Sequence, residues 1–464
     1  MSERIAKWII SILCICLGLP LHTAVSAEEN LDGGWDVVVI GGGLMGSSTA
    51  WQLAIEGQGV LLLEMQGETY TQGSSFGDAR ISRSLGPPDD IWGYMHNRTV
   101  AEMKELIAFL NEHGDKVSMD DVYVTSPVNY VDHISRLEDR SWLSEQPDPV
   151  KVATTPDEAR TVFGINLAED AYIVREYKDY SGTINPGATI RALHRGTVLA
   201  GGRVAYRQRV TSLIRDNAGF ELEITDVDSG LVRQLTVPRV VSAAGPYTGS
   251  LLKDVALEFD QLITPRRVFL AFFEVAPDFW NGLLPTEQQG LKDLFPAINS
   301  TLQLRASDQF SMIERYTERG TPIIKIGGHF RRTDIEDLGA VWQQSLSDEE
   351  IEWSYEMLLH HLALLDVGFT RDHLLVNDGY SCVYSLTESE VPYVTNALLP
   401  DGSPDPDLVV VGGMSGVGAK GSLGYGVIAA DLLSGRTEQD PVYLAAREAF
   451  GFERMKRDTN SLGN

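Results

Sequence analysis

Three glycines near the start of the chain have the spacing of a phosphate-binding turn. Gly41, Gly43 and Gly46 form a G-x-G-x-x-G pattern. In such a turn the first glycine permits a tight bend, the second lets backbone N–H groups approach a pyrophosphate, and the third allows close packing. Glu64 ends the next apolar run, where a carboxylate can accept hydrogen bonds from ribose hydroxyls. The pattern therefore predicts a dinucleotide site.

The segments around this turn have the order strand, helix, strand. Residues 35–40 and 59–64 are apolar runs that predict buried parallel strands, and residues 47–55 between them predict a helix. Residues 239–245 and 408–413 are further apolar runs that end in small residues, as strands that approach a cofactor often do. We therefore expect a Rossmann-like domain assembled from separated segments.

Other parts of the chain have a different pattern. Residues 267–273 and 323–330 contain alternating stretches that favour an antiparallel sheet. Residues 347–365 open with the S-x-x-E pattern of a capping box and predict a helix. Residues 399–407 are rich in Pro, Gly and Asp and predict a surface loop. The chain is therefore expected to belong to the α/β (α+β) class.

Two of the three cysteines, Cys14 and Cys16, lie in the first 27 residues, and the third is Cys382. Residues 1–27 have the pattern of a secretory signal peptide, with basic residues, a short apolar run and small residues that end at Ala27. The run is shorter than the ~20 residues of a membrane-spanning helix, and an uncleaved anchor is the alternative. Cleavage after Ala27 would leave Cys382 as the only cysteine. We expect a secreted or periplasmic protein in which this thiol is buried or chemically committed.

Four further segments resemble motifs of the monomeric sarcosine oxidase and N-methyltryptophan oxidase family. Residues 73–83 (GSSFGDARISR) resemble its G-S-x-x-G-D-x-R-I-x-R, and residues 325–329 (KIGGH) its K-x-G-x-H. Residues 382–384 (CVY) resemble its C-x-Y, and residues 413–420 (GMSGVGAK) its G-x-S-G-x-G-x-K. The order and approximate spacing agree over most of residues 34–440. The resemblance implies an FAD-dependent amine oxidoreductase of the D-amino-acid oxidase superfamily.

This resemblance and the strand pattern together predict how the chain divides. A Rossmann-like FAD-binding domain is expected to combine with a second, mainly antiparallel substrate domain. The predicted segments are 1–27 for the signal peptide, 34–120, 186–255 and 375–440 for the FAD-binding domain, 121–185 and 256–374 for the substrate-binding domain, and 441–464 for a C-terminal tail.

The resemblance also implies roles for single residues. Cys382 matches the cysteine that bonds through sulfur to the 8α methyl of the flavin, although a small buried hydrophobe is its alternative interpretation. Arg83 and Lys420 match two cations that hold a substrate carboxylate, and surface cations are the alternative. Lys325 matches a lysine whose fixed charge stabilises the superoxide formed when oxygen accepts the first electron. An oxidase is therefore favoured over a dehydrogenase.

Three more residues complete the expected catalytic set. Arg80 matches an arginine that supports negative charge on the reduced flavin, His329 matches a histidine near the substrate, and Tyr384 is the tyrosine of C-x-Y. His360 and His361 are interpreted as scaffold, and no metal is expected, because no third ligand has metal-binding spacing. The expected cofactor contacts are Gly41, Gly43, Leu44, Met45, Gly46, Glu64, Gly73, Ser74, Arg80, Gly245, Cys382, Gly413, Ser415, Gly416, Gly418 and Lys420.

The implied reaction is oxidation of a small carboxylate-bearing secondary amine with release of hydrogen peroxide. Phe76 replaces a family histidine, residues 84–88 differ from the family, and the segment before Lys325 does not align cleanly onto an active-site tyrosine. These positions are expected to shape the amine side of the pocket. Sarcosine, larger N-methyl amino acids, pipecolate-like cyclic imino acids and a substrate class not yet named therefore all stay open. A flavin-dependent dehydrogenase with another acceptor and a non-enzymatic flavin-fold binding protein are the alternatives.

The composition argues against some partners. The chain has 38 Lys+Arg against 65 Asp+Glu, a formal net charge of -27. Such a surface repels nucleic acid and anionic lipid, so neither a polynucleotide nor a stable membrane partner is expected. The expected partners are a small amino-acid substrate and oxygen, and the family leads us to expect a monomer.

Overall fold

The computed structural model describes residues 31, 33–87, 89–145, 150–177, 180–299, 309–328 and 332–462. The predicted signal peptide and His329 lie outside these residues. Among the residues described, no helix is both long enough and apolar enough to cross a membrane.

The glycine turn follows an inner strand of a mostly parallel, six-stranded sheet. Three of its strands, Val37–Ile40, Val60–Leu63 and Val240–Ser242, are buried at every residue, as their continuous apolar runs predict. Neighbouring strands are parallel except for one antiparallel edge pair, the strands 393–398 and 404–412. Helices Leu44–Ile55 and Gly418–Ser434 contribute to its core. In spatial order the six strands are Tyr393–Leu398, Pro404–Gly412, Val240–Ser242, Val37–Ile40, Val60–Leu63 and Arg203–Ala205.

The second large sheet is mainly antiparallel, as expected. Among the described residues, one parallel pairing occurs in this sheet, between the strands 297–299 and 128–133. Helix Asp348–Leu362 packs against its apolar core and begins with the predicted capping box at Ser347. In spatial order the eight strands are Leu374–Leu386, Thr264–Val275, Pro322–Gly328, Gln309–Tyr316, Ala297–Asn299, Val128–His133, Ala171–Glu176 and Val150–Ala153.

Two small antiparallel sheets and further helices complete the described part of the chain. One sheet contains Gln208–Asp216, Gly219–Asp226 and Val232–Val237, and the other contains Arg80–Ser82, Gly182–Ile184 and Tyr123–Thr125. The further α-helices are Ile91–Glu112, Met119–Val122, Pro156–Phe163, Pro186–Leu199, Thr248–Leu252, Glu258–Leu262, Pro277–Gly282, Pro285–Leu294, Pro441–Phe450 and Phe452–Leu462.

Three local features differ from the sequence predictions. The predicted FAD-binding segment 375–440 begins inside strand Leu374–Leu386, which pairs along its length with Thr264–Val275 in the eight-stranded sheet. The predicted loop 399–407 is wrong after residue 403, because Pro404 already begins a strand. The predicted C-terminal tail contains two helices, and Phe450 is fully buried in the core of the six-stranded sheet. The domain boundaries themselves stay a prediction.

Candidate active site

A cleft of about 1240 Å³ is lined by residues from both large sheets. Most of the predicted site residues meet there. Those that line it are Gly41, Gly43, Leu44, Met45, Glu64, Gly73, Ser74, Arg80, Arg83, Gly245, Lys325, Cys382, Tyr384, Ser415, Gly416, Gly418 and Lys420. Gly46, in the first turn of helix Leu44–Ile55, and Gly413 are not part of the lining.

The glycine turn connects strand Val37–Ile40 to helix Leu44–Ile55. Gly41 has a φ of +98°, and a Cβ there would lie 2.5 Å from the carbonyl oxygen of Ala243. A Cβ on Gly46 would collide with the carbonyl oxygen of Gly41. Gly43 has no side chain to cap the helix, and the Ser75 hydroxyl accepts the Leu44 N–H at 3.2 Å. Both crowded positions therefore require glycine, and the backbone at the helix N-terminus lines the cleft.

Glu64 directly follows the neighbouring strand and hydrogen-bonds to the glycine turn. One carboxylate oxygen accepts the Gly42 N–H at 2.6 Å, and the other accepts the Gln66 N–H at 2.7 Å. Burial raises the pKa of Glu64, and these two hydrogen bonds oppose the increase. Each oxygen retains acceptor capacity, so ribose hydroxyls can still donate to the carboxylate.

A buried cluster of charges lies on the wall formed by the eight-stranded sheet. The Lys325 ammonium forms an ion pair with Glu314, and both side chains are 1% exposed. Lys325 also donates to the carbonyl oxygen of Ala79, which accepts a second hydrogen bond from Arg80 at 2.8 Å. Burial lowers the pKa of Lys325 to about 8, while Glu314 opposes and Arg80 reinforces that shift. The cluster places two cations and one anion beside the cleft.

A second pair of cations, Arg83 and Lys420, lines the same cleft. Lys420 is in the first turn of helix Gly418–Ser434, and the described residues offer its ammonium no hydrogen-bond partner. Burial and the Arg83 charge lower the pKa of Lys420 to about 7. Two adjacent cations of this kind repel each other and attract an anion. The pair is therefore suited to a carboxylate.

Buried polar groups contact Arg83 and hold it in position. Its guanidinium lies over the Tyr130 ring, 5.6 Å from the centroid. The Tyr130 hydroxyl donates to Glu176 at 2.8 Å, and Glu176 also accepts the N–H and hydroxyl of Ser84. The His96 imidazole hydrogen-bonds the carbonyl oxygen of Arg83. These contacts fix the backbone and the side chain of Arg83.

Cys382 and Tyr384 come from the edge strand of the eight-stranded sheet. Cys382 is 6% exposed and is not in a disulfide. Burial raises the pKa of its thiol, and the charges of Arg80 and Lys325 oppose the increase. Burial also raises the pKa of the Tyr384 hydroxyl to about 12, with the Cys382 thiol adding to it. At neutral pH the tyrosine is therefore a neutral hydrogen-bonding group.

A second glycine-rich turn, residues 413–418, packs against Tyr384. Gly416 has a φ of +84°, and Ser415 has a φ of +44°. A Cβ on Gly416 would lie 2.9 Å from the Tyr384 ring. The Ser415 hydroxyl stabilises the turn by donating to the carbonyl oxygen of Gly413 at 3.0 Å. This turn leads into the helix that carries Lys420.

Three predicted contacts remain, namely Ser74, Gly73 and Gly245, and the first of them joins two separate segments of the lining. Ser74 donates from its hydroxyl to the carbonyl oxygen of Val383 at 2.8 Å. Gly73 and Gly245 have φ values of +103° and +58°. Gly73 lies at a bend and Gly245 begins a short 3-10 helix, and both line the cleft.

Sequence reasoning missed several groups and misplaced one. Glu314 and the positioning residues His96, Tyr130 and Glu176 were not predicted. Glu314 lies in the segment before Lys325 that does not align cleanly with the family. That departure was the only feature of the sequence that pointed to a difference at this place. Phe76 was expected to shape the pocket, but it packs against Tyr380 with ring centroids 5.4 Å apart and does not line the cleft.

Comparison with known proteins identifies the family. The chain matches the family described as FAD dependent oxidoreductase over residues 36–432. The chain belongs to this family. It is 44% identical over 90 residues to a probable sarcosine oxidase of Arabidopsis thaliana, covering 19% of this chain and 21% of that protein. It is 23% identical over 273 residues to human peroxisomal sarcosine oxidase, covering 59% of this chain and 63% of that protein.

These matched segments span less than two thirds of either relative. The fold of this FAD-dependent oxidoreductase also resembles that of NikD, described as an unusual amino acid oxidase essential for nikkomycin biosynthesis. The TM-score is 0.64 at 19% identity, and the match covers 90% of this chain and 97% of that chain. At this identity the likeness concerns the fold.

The cleft fits the cofactor that the family implies. The crowded glycine turn at the N-terminus of helix Leu44–Ile55 lines the cleft and suits a pyrophosphate, and Glu64 beside it suits a ribose. The turn at 413–418 brings a second helix N-terminus to the cleft, where Val417 provides no side-chain cap. Cys382 lines the same cleft with a free sulfur. FAD bound there would supply the acceptor for two electrons from a substrate.

Proposed function

We propose that this protein is an oxidase that removes two electrons from the amine of a small secondary amino acid. The observation that supports it best is the meeting of Arg83 and Lys420 with Lys325 and Cys382 in one cleft. The first pair suits a carboxylate, Cys382 suits a covalent flavin, and Lys325 suits reaction with oxygen. Sarcosine, a larger N-methyl amino acid or a cyclic imino acid would satisfy this set.

The carboxylate end of the substrate would be held by Arg83 and Lys420. A guanidinium holds both carboxylate oxygens, and an ammonium adds a point charge. Bringing an anion between these cations also relieves their repulsion. Substrate binding should therefore raise the proportion of Lys420 that is protonated near pH 7.

The amine end would react as a neutral base. Partial burial disfavours an ammonium, and the nearby Arg80 and Lys325 cations act in the same direction. The chain would bind and orient the amine. Loss of a hydride equivalent from the carbon beside nitrogen gives an imine, which water hydrolyses to an amine and a carbonyl compound.

The cofactor is proposed to be bonded covalently to Cys382. Arg80 and Lys325 lower the thiol pKa against the effect of burial, which favours the thiolate needed for bond formation. Oxygen would then accept two electrons and two protons and leave as hydrogen peroxide.

We further propose that the protein acts outside the cytosol, in the periplasm or after secretion, and as a monomer.

A peroxide screen tests the proposal. Purified protein would be given N-methyl and cyclic imino acids, each with its amide analogue lacking the carboxylate. Peroxide formation with the acids and not with the amides is expected, and Arg83→Ala should lower kcat/KM about ten- to a hundredfold, since a charge-assisted bond contributes ~1.5–3 kcal/mol. Wild-type kinetics in that variant would refute the carboxylate clamp. Substrate consumption without peroxide would indicate another electron acceptor.

A further inference from the structure

The strand that carries Glu314 contains an irregularity at that residue. Strands Gln309–Tyr316 and Pro322–Gly328 are antiparallel, with Met312 opposite Lys325. The register shifts between Ile313 and Arg315, so Glu314 has no partner in the ladder. Such a bulge re-aims a side chain and is common beside active sites. Here the carboxylate reaches the neighbouring strand's lysine.

Glu314 and Lys325 together hold the segment that leads into Arg80. One Glu314 oxygen accepts the Asp78 N–H at 2.8 Å, and the other forms the ion pair with Lys325. Lys325 in turn donates to the carbonyl oxygen of Ala79. The pair therefore binds two consecutive backbone groups. Movement of either side chain would disturb both Lys325 and Arg80.

The charges around Lys325 show why an anion is needed at this place. Arg80 is a second cation of the cluster, the Cys382 thiol is nearby, and Asp78 and Glu314 are the anions that act on Lys325. Asp78 is more than half exposed, so water screens its charge. Glu314 is the buried counter-charge. Without it, burial and Arg80 would together drive Lys325 towards the neutral amine.

We propose that Glu314 is a positioning residue that keeps Lys325 in place as an ammonium for the reaction of reduced FAD with oxygen. In that reaction FADH₂ and O₂ give FAD and H₂O₂, with two electrons and two protons transferred. The inference rests on the proposed function, since it assumes that Lys325 serves the oxygen reaction. It adds that the bulged carboxylate controls the charge of this lysine.

The oxygen reaction can be measured without any amine substrate. Wild-type holoprotein and the variants Glu314→Gln, Glu314→Asp and Lys325→Met would be reduced anaerobically with dithionite. They would then be mixed with oxygen in a stopped-flow instrument, and the return of flavin absorbance would be followed from about pH 6 to about pH 10. The wild-type rate constant should fall as the pH rises through about 8, because Lys325 loses its proton there.

In Glu314→Gln the fall should begin at lower pH. If its midpoint moves by about one pH unit, the protonated fraction at pH 8 drops from about a half to about a tenth, and the reaction slows about fivefold. Glu314→Asp should keep a profile close to that of the wild type, whereas Lys325→Met should be slow without this pH dependence. A Glu314→Gln profile that matches the wild type, or reoxidation that is faster, would overturn the proposal.

A second measurement reads the lysine's charge without any turnover. Because the folded protein releases the Lys325 proton more readily than the unfolded chain, the free energy of unfolding rises with pH between the two pKa values. Urea unfolding of Glu314→Gln should show this rise beginning at lower pH than in the wild type. Lys325→Met should lack this rise, and so should the double variant that combines Glu314→Gln with Lys325→Met. A rise that begins at the same pH in both lysine-containing proteins would refute the charge coupling.

The two proposals fail in different ways. Dithionite reduces flavin whatever the substrate, so a shifted oxygen profile in a protein that oxidises no amino acid would refute the proposed substrate and support the role of Glu314. Amino-acid oxidation with unshifted profiles would refute only the role of Glu314. A purified protein without flavin would overturn both.

Discussion

Binding of a carboxylate should depend on the protonation of Lys420. The pKa of this lysine is lowered to about 7 by burial and by Arg83. An anion therefore meets two cations below pH 7 but only the arginine well above it. The affinity should be highest at low pH and should decrease as the pH rises through about 7. The perturbation that isolates this effect is Lys420→Met.

The size of the effect follows from one charge-assisted contact. Such a hydrogen bond contributes ~1.5–3 kcal/mol, which corresponds to about a ten- to hundredfold change in Kd. Lys420→Met should weaken binding by that factor at about pH 6 and should remove the rise in Kd near pH 7. Any smaller rise near pH 8, where Lys325 loses its proton, would be shared with the wild type. Above pH 7 the wild-type Kd should rise up to about tenfold per pH unit until it approaches that of the variant. His96 should add nothing to this change, because burial and the two cations lower its pKa well below its ordinary value.

Methoxyacetate is a suitable probe because it has a carboxylate and no amine to titrate. Its Kd would be measured through the change in flavin absorbance from about pH 6 to about pH 9. Lys420→Arg is the matched control, since a guanidinium stays charged over this range, and it should bind tightly at every pH. A wild-type Kd that does not change with pH, or an equal slope in Lys420→Met, would refute the reasoning.

Three further substitutions test other parts of the cleft. Cys382→Ala should release its flavin on acid precipitation, whereas the wild-type pellet should stay yellow; colour released from both would contradict covalent attachment. Gly46→Ala should contain little FAD by visible absorbance, because its Cβ would collide with backbone, while Gly282→Ala, with nothing within 4 Å of its Cβ, should keep the wild-type content. Equal contents would argue against the crowded turn. Near pH 7, Glu314→Gln should lower the free energy of unfolding by about 3–5 kcal/mol, as expected when one member of a buried ion pair is removed, and adding Lys325→Met should restore part of it in urea titrations. No restoration would show that the pair is not the cause.

The elements around the glycine turn were predictable because local sequence determines them. A buried parallel strand has a continuous apolar run, and Gly41 and Gly46 occupy places where a Cβ would collide with backbone. The predicted FAD-binding segment 375–440 begins inside the strand that carries Cys382, and this strand belongs to the eight-stranded sheet. Its partner is Thr264–Val275, in which Val268 lies opposite Cys382, and no local pattern encodes a pairing between segments so far apart in the chain.

The buried polar contacts of the site were harder to predict for the same reason. The match to the family motifs indicated Arg83, Lys325 and Lys420 by their positions. Glu314 meets Lys325 only because a bulge shifts the register of its strand, and the position of a bulge is not visible as a period in the sequence. The contact of His96 with Arg83 depends on how a helix packs against a separate segment. Tertiary packing decides both.

The most direct test of the proposed activity is anaerobic reduction of the bound flavin by a secondary amino acid. Purified protein would be mixed with N-methyl and cyclic imino acids without oxygen, and air would be admitted after the absorbance has settled. The proposal predicts that at least one acid bleaches the flavin, and that air restores the colour with one hydrogen peroxide formed per flavin. Flavin that no such acid bleaches, or that regains colour in air without peroxide, would contradict an amine oxidase.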